Sequence, residues 1–328
     1  MNSTKLTNTL TKCIKNGLPV LIKGAPGIGK SDIVATVAKE LKMDLVVMHP
    51  VVSDPTDFKG LPGIVDGEAE FLPFGDLRNL MGVKRHTICF LDDLGQAPAC
   101  VQAAAMQLIL ARQINGHKIS DKIIFVAATN RREDKAGVTS ILEPVKSRFA
   151  TIIQLDADAN SWIEWALAND VNTQMIGFIH FRPDMLCTGD ATNDIVNRPC
   201  PRTITYASKL LDAGIDDMET LGGSIGEGAA AELCGFLKMY NDLPNIDEIA
   251  IKPEDVKVPT EPAALYAVTS ALVKKTDKKN FANIMKYINR IPADFSMLYI
   301  RDLVTCKPEM QNTETFIKWV ALHNDILL

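Results

Sequence analysis

Through the first half of the chain, short unbroken apolar runs alternate with stretches in which apolar residues recur every three or four positions. The runs fall at residues 18–22, 45–48, 88–91, 123–127 and 151–155. A run that is apolar at nearly every position suits a strand covered on both faces, as in a parallel sheet. Between the runs, residues 31–41 set Ile33, Val34, Val37, Ala38 and Leu41 on one helical face, and residues 101–112 do the same with Ala104, Leu108 and Ile109. Strands alternating with helices predict an α/β domain built on a parallel sheet.

The alternation stops near residue 157. Helical patterns follow at residues 161–168, 203–213, 226–239, 262–274, 281–288 and 313–326. Residues 242–260 are rich in Pro, Asp, Glu and Lys and read as a connector. The expected organisation is an α/β domain over 1–157, a helical domain over 158–243 and a C-terminal helical extension over 244–328. In that extension, Phe316, Trp319, Val320 and Ile326 fit the packed face of a helix.

Composition changes this picture little. With 47% apolar residues in 328, there is enough material for more than one core. A net charge of -5 disfavours a free-standing nucleic-acid binder, although it leaves room for a local basic surface. The seven cysteines are irregularly spaced, with no CxxC and no zinc-type pairing, and Cys89 sits inside an apolar run. Reduced thiols in a cytoplasmic protein are expected. No apolar run reaches the length of a membrane span, and the polar N-terminus lacks the apolar core of a leader peptide.

Candidate chemistry begins at residues 24–31: Gly24, Ala25, Pro26, Gly27, Ile28, Gly29, Lys30 and Ser31. A strand leads in and a helix leads out. Glycines let backbone N–H groups turn toward phosphate oxygens, and the helix start adds partial positive charge. This reads as a P-loop for ATP or GTP, with Lys30 expected to reach the β- and γ-phosphates and Ser31 to hold Mg2+. A second apolar strand ends in Asp92 and Asp93. Asp92 fits the Mg2+ shell, and Asp93 fits the group that polarises the attacking water. A third buried run ends at Asn130, an amide able to orient that water beside Asp93.

Two arginines are candidates of a different kind. Arg148, in the stretch Lys146-Ser147-Arg148-Phe149, could be an arginine finger that neutralises charge on the transferring phosphate. It could equally be half of a surface ion pair, and spacing does not choose. Lys146 has the weaker claim. Arg202 follows Pro201 at a helix start, where its charge opposes the helix dipole unless an anion lies nearby. It fits a second phosphate sensor, or a plain surface arginine after a loop.

Taken in order, these motifs resemble those of the AAA+ ATPases, and more narrowly the MoxR group, over residues 18–236. In that resemblance GAPGIGKS is Walker A, ICFLDD is Walker B, Asn130 is sensor 1, Arg148 is the finger and Arg202 is sensor 2. Residues 49–77 are similar to the group's hairpin insertion in helix 2, and residues 114–119 to its pre-sensor-1 hairpin, with Asn115-Gly116 as the turn. In the family these hairpins face a ring pore. The resemblance implies a five-stranded sheet of order 5-1-4-3-2, a helical lid and a homo-oligomeric, generally hexameric ring. It implies ATP hydrolysis coupled to remodelling of a protein client, often beside a partner with a von Willebrand factor A domain. Asp93 departs from the Glu usual at its place, which touches the rate of hydrolysis rather than nucleotide binding. Other readings are a nucleic-acid motor or loader of the same superfamily, an ATP-dependent assembly switch that hydrolyses weakly, and, last, a small-molecule kinase, which has no use for Asn130 and Arg148.

Overall fold

The computed structural model describes residues 1–134, 137, 141–189, 192, 194–241 and 243–323. It divides into two compact units, Met1–Ala157 with Asp190–Asp194, and Asp158–Gly189 with Ile195–Leu328.

The first unit holds the strands. They are β1 (Val20–Gly24), β2 (Asp44–Met48), β3 (Leu61–Val65), β4 (Glu68–Leu72), β5 (Thr87–Leu91), β6 (Gln113–Ile114), β7 (His117–Lys118), β8 (Ile123–Thr129) and β9 (Thr151–Leu155). Five of them form one parallel sheet in the order β2-β5-β8-β1-β9. Numbered along the chain, that is the expected 5-1-4-3-2 read from the other edge. The first strand runs two residues later than its apolar run suggests, because Leu18 and Pro19 precede the ladder. Strand β8 runs two residues further than expected and ends at Thr129.

Its helices are α1 (Ser3–Lys15), α2 (Lys30–Glu40), α3 (Pro55–Lys59), α4 (Gly75–Met81), α5 (Ala99–Ala111) and α6 (Glu143–Lys146). The sheet separates two cores, and strand alternation assigns residues to each. On one face Ile88, Phe90, Ile124, Val126 and Ala128 meet Leu6, Leu10 and Ile14 of α1 and Val34 and Val37 of α2. On the other, Cys89, Leu91, Phe125 and Ala127 meet Phe58, Leu77, Leu80 and Leu108 from α3, α4 and α5. Each fully buried Leu or Phe contributes about 1.5–3 kcal/mol.

Helix α1 was not expected. It is capped by Asn2, whose side chain accepts the Lys5 N–H at 3.1 Å, and only Leu6, Leu10 and Ile14 on one narrow stripe are buried. Both hairpins are present, β3–β4 turning at Asp66-Gly67 and β6–β7 at Asn115-Gly116, each with positive φ at both turn residues. They are tied together. Asn115 Nδ2 donates to the Lys59 carbonyl at 3.0 Å, and a ring nitrogen of His117 meets the Phe71 carbonyl. Phe71 stands opposite Pro62, which has no N–H to give.

The second unit is helical: α7 (Ala159–Ala168), α8 (Thr173–Phe181), α9 (Pro201–Asp212), α10 (Met218–Ile225), α11 (Glu227–Asn241), α12 (Ile246–Ile251), α13 (Pro262–Lys275), α14 (Phe281–Ile288), α15 (Ala293–Cys306) and α16 (Glu314–Leu322). Helices α8, α10, α12 and α15 add to the expected set, and α12 lies inside the stretch read as a connector. Helix α13 is buried on two sides. Ala263 and Ala267 join a core with Phe178, Leu233 and Phe236, while Val268 and Leu272 join another with Phe281, Tyr287, Tyr299 and Trp319. Phe316 and Val320 pack beside Trp319 as expected, and Ile326 lies outside the described residues. His180 of α8 and Asp302 of α15 form a buried pair at 2.6 Å. Among the described residues no helix is long and apolar enough to cross a membrane, and all seven cysteines are free, with Cys89 buried.

Candidate nucleotide site

Because the sheet is parallel and β8 lies between β1 and β5, the carboxyl ends of these three strands sit side by side. Open α/β sheets bind ligands at such an edge. Each strand delivers one part of the predicted set.

Strand β1 delivers the glycine turn. Gly24 has no room for a side chain, since a Cβ there would lie 2.6 Å from Ile28 Cδ1 and 2.9 Å from the Leu155 carbonyl. Gly29 caps α2 with φ +94, a conformation that L side chains rarely adopt. It offers no side-chain cap, so the first N–H groups of α2 are left for another acceptor. Gly24 to Ser31 thus fit a phosphate group, with main-chain donors, a helix start and an ammonium converging on one turn.

Lys30 is 7% exposed. Its Nζ donates to the carbonyls of Gly24 at 3.0 Å and Ala25 at 2.9 Å, and to Asn130 Oδ1 at 2.6 Å. A buried ammonium requires such acceptors, because an unpaired one would cost several kcal/mol. Ser31 Oγ donates to Asp92 Oδ2 at 2.8 Å. That brings together the hydroxyl and the carboxylate expected to share Mg2+, both hard oxygen donors suited to it.

Strand β5 delivers Asp92 and Asp93. The Asp92 N–H extends the ladder to the Met48 carbonyl at 2.9 Å, and Asp92 Oδ1 accepts the Asp93 N–H at 3.1 Å. Asp93 is left-handed, with φ 55 and ψ 34. Asp and Asn take this conformation more readily than longer side chains do. The backbone therefore supplies a reason for Asp where Glu was the expected residue.

Strand β8 delivers Asn130, which is 8% exposed. Its Oδ1 accepts from Lys30 and its Nδ2 donates to Asp93 Oδ1 at 3.1 Å. An ammonium can only donate and a carboxylate can only accept, so the amide has one satisfying orientation. Gly95 packs against the end of the same strand, where a Cβ would lie 2.1 Å from Thr129 Oγ1.

Three predicted residues remain. Lys146 pairs with Glu143 at 2.6 Å. Arg148 donates through Nη1 to Ser147 Oγ at 3.1 Å, and its Nε is buried with no partner. Among the described residues no ion pair of Arg148 is found. Arg202 lies in the second unit, exposed at the second position of α9 after Pro201. Sequence reasoning passed over Arg131 and Asp134, which pair immediately after Asn130. Their one signal is an Arg and an Asp three residues apart.

A parallel sheet carrying this glycine turn, these two carboxylates and this amide at one edge defines a P-loop nucleotide-binding domain. Residues 20–157 match the family described as "ATPase family associated with various cellular activities (AAA)". Among solved structures the chain is similar to the RuvB Holliday junction branch migration motor of Thermotoga maritima, at 18% identity over 88% of this chain and 86% of that one, with a TM-score of 0.43. It is also similar to NtrX from Brucella abortus in complex with ADP, at 13% identity over 98% of this chain and 67% of that one, with a TM-score of 0.40. Likenesses this distant assign neither substrate nor partner. No curated protein matches the sequence significantly.

Proposed function

We propose that this chain hydrolyses ATP at the Gly24–Ser31 turn and works as a MoxR-like ring ATPase that remodels a partner protein in the cytoplasm. The observation that carries the hydrolase reading is the line Lys30–Asn130–Asp93, in which one amide joins the phosphate-binding ammonium to the water-polarising carboxylate. Lys30 and the main-chain N–H groups of the turn hold the phosphates. Ser31 and Asp92 would hold Mg2+, which when bound would neutralise phosphate charge. Asp93 takes a proton from the attacking water, and Asn130 orients that water. Arg148 reaches the site of a neighbouring subunit and Arg202 acts as the second sensor.

The MoxR part of the reading draws support from the two linked hairpins, with Ile64 at 81% exposure near the tip of the longer one. In this reading they meet a client in a homo-oligomeric ring, hexameric by the family pattern, with a von Willebrand factor A domain protein as the partner class. One observation favours the assembly-switch reading instead. Asp93 is one methylene shorter than Glu and its Oδ1 already accepts from Asn130, which leaves less reach toward water.

Phosphate release from the purified chain, with its mass measured in the presence and absence of ATP, separates the two. Release together with an ATP-bound ring supports the hydrolase. A ring that forms on ATP and releases no phosphate supports the switch.

A further inference from the structure

Asn130 must keep its amide between Lys30 Nζ and Asp93 Oδ1, yet it stands where its strand has ended. Upstream, β8 is held on both sides by β5 and β1. Among the described residues the ladder does not continue past Thr129. The chain instead folds back on itself within four residues. Arg131 Nε donates to Asp134 Oδ2 at 2.9 Å and Nη2 donates to Oδ1 at 2.7 Å, a two-pronged fork. The Arg131 main-chain N–H donates to the same Oδ2 at 3.2 Å, and the Asp134 N–H returns to the Arg131 carbonyl at 3.3 Å.

The Asp134 side chain is 3% exposed, and Glu133 adds a second carboxylate 3.6 Å from Arg131 Nε. Hydrogen bonding to Asp134 raises the Arg131 guanidinium above its ordinary value. A buried ion pair of this kind returns little net stability, because desolvation of both charges offsets most of their attraction. What it does impose is geometry. One carboxylate holding the main-chain N–H and both prongs of the same residue fixes φ and ψ at position 131, and with them the peptide that joins Asn130 to Arg131.

We propose that Arg131 and Asp134 are positioning residues of the hydrolytic site, fixing the backbone that carries Asn130 so that their loss acts on turnover through Asn130. This rests on the hydrolase reading above. A double-mutant cycle on the full chain tests it, with phosphate release and nucleotide binding measured for wild type, Asp134→Asn, Asn130→Ala and the double variant. Asp134→Asn lowers kcat by about tenfold with KM and nucleotide Kd little changed, as expected when a reacting group loses orientation. In the Asn130→Ala background the same substitution has no further effect on kcat, because what it positions is gone. Arg131→Lys keeps the charge but loses the fork, and gives the same pattern should Asp134→Asn fail to fold. Two results overturn the inference alone: an additive cycle, or a wild-type kcat in both Asp134→Asn and Arg131→Lys. No phosphate release from wild type removes the hydrolase reading, and the inference with it.

Discussion

Lys30 and Asn130 lie 100 positions apart in the chain and meet at 2.6 Å, ammonium to amide oxygen. The contact exists because β8 was inserted beside β1 in the sheet, so that the first strand and the fourth end together. It couples the Gly24–Ser31 turn to the carboxylate of Asp93 through one side chain.

Asp93 holds its left-handed backbone and its bond to Asn130 with a short side chain. Asp93→Glu restores the residue usual in related sites, yet it lengthens the reach and strains the backbone. Turnover falls rather than rises. Asp93→Asn keeps nucleotide binding and lowers turnover by about 10²-fold or more, the usual contribution of a positioned base. Faster phosphate release from Asp93→Glu than from wild type would show that the left-handed backbone is no constraint.

Gly95 lies against Thr129, the residue before Asn130. Its substitution by Ala puts a Cβ 2.1 Å from Thr129 Oγ1 in a buried setting. Gly95→Ala destabilises the first unit by about 1–3 kcal/mol, as overpacking does, and lowers turnover by displacing the end of β8. Denaturant unfolding monitored beside phosphate release checks this. Unchanged stability together with unchanged turnover contradicts it.

Arg148 combines a buried, unpartnered Nε with the absence of an ion pair among the described residues. A guanidinium with one exposed hydrogen bond, to Ser147, and no ion pair adds little to the fold. Arg148→Ala therefore keeps its thermal stability and its nucleotide affinity, while phosphate release falls by about 10³-fold, as for a finger. Mixing Arg148→Ala with Lys30→Ala subunits restores part of the activity if the arginine acts across subunits. Full turnover in purified Arg148→Ala ends the finger assignment.

In the second unit, His180 and Asp302 are paired at 2.6 Å with both side chains almost fully buried. Asp302→Ala leaves a buried imidazole without its acceptor and costs about 3–5 kcal/mol in urea unfolding, as when one partner of a buried pair is removed. A loss within the range of ordinary surface substitutions, about 0.5 kcal/mol, would show that the pair is dispensable.

How far the sequence could be read depends on how local the physics is. The turn at Gly24–Ser31 was legible because its chemistry needs consecutive residues. The five strands were legible because burial on both faces leaves unbroken apolar runs. Helix α1 was not, since its Ser- and Thr-rich surface hides a stripe of only Leu6, Leu10 and Ile14. Helix α8 was missed for the opposite reason. Met175 through His180 are all buried, so no polar face marks a period. Helix α12 is six residues long and depends on the Asn245 cap within a charged, proline-bearing stretch. The roles of Asp92, Asp93 and Asn130 could be proposed one by one, but the order in which they touch follows from strand adjacency. The Arg131–Asp134 fork is local in sequence, yet its burial is a property of the fold.

The central claim is that Asn130 joins phosphate binding to hydrolysis, and it is tested most directly by measuring ATP affinity and single-turnover phosphate release in wild type and Asn130→Ala. The account predicts nearly unchanged affinity and release slowed by about 10²-fold, the scale for losing one preorganised polar group. Wild-type release from Asn130→Ala would contradict it.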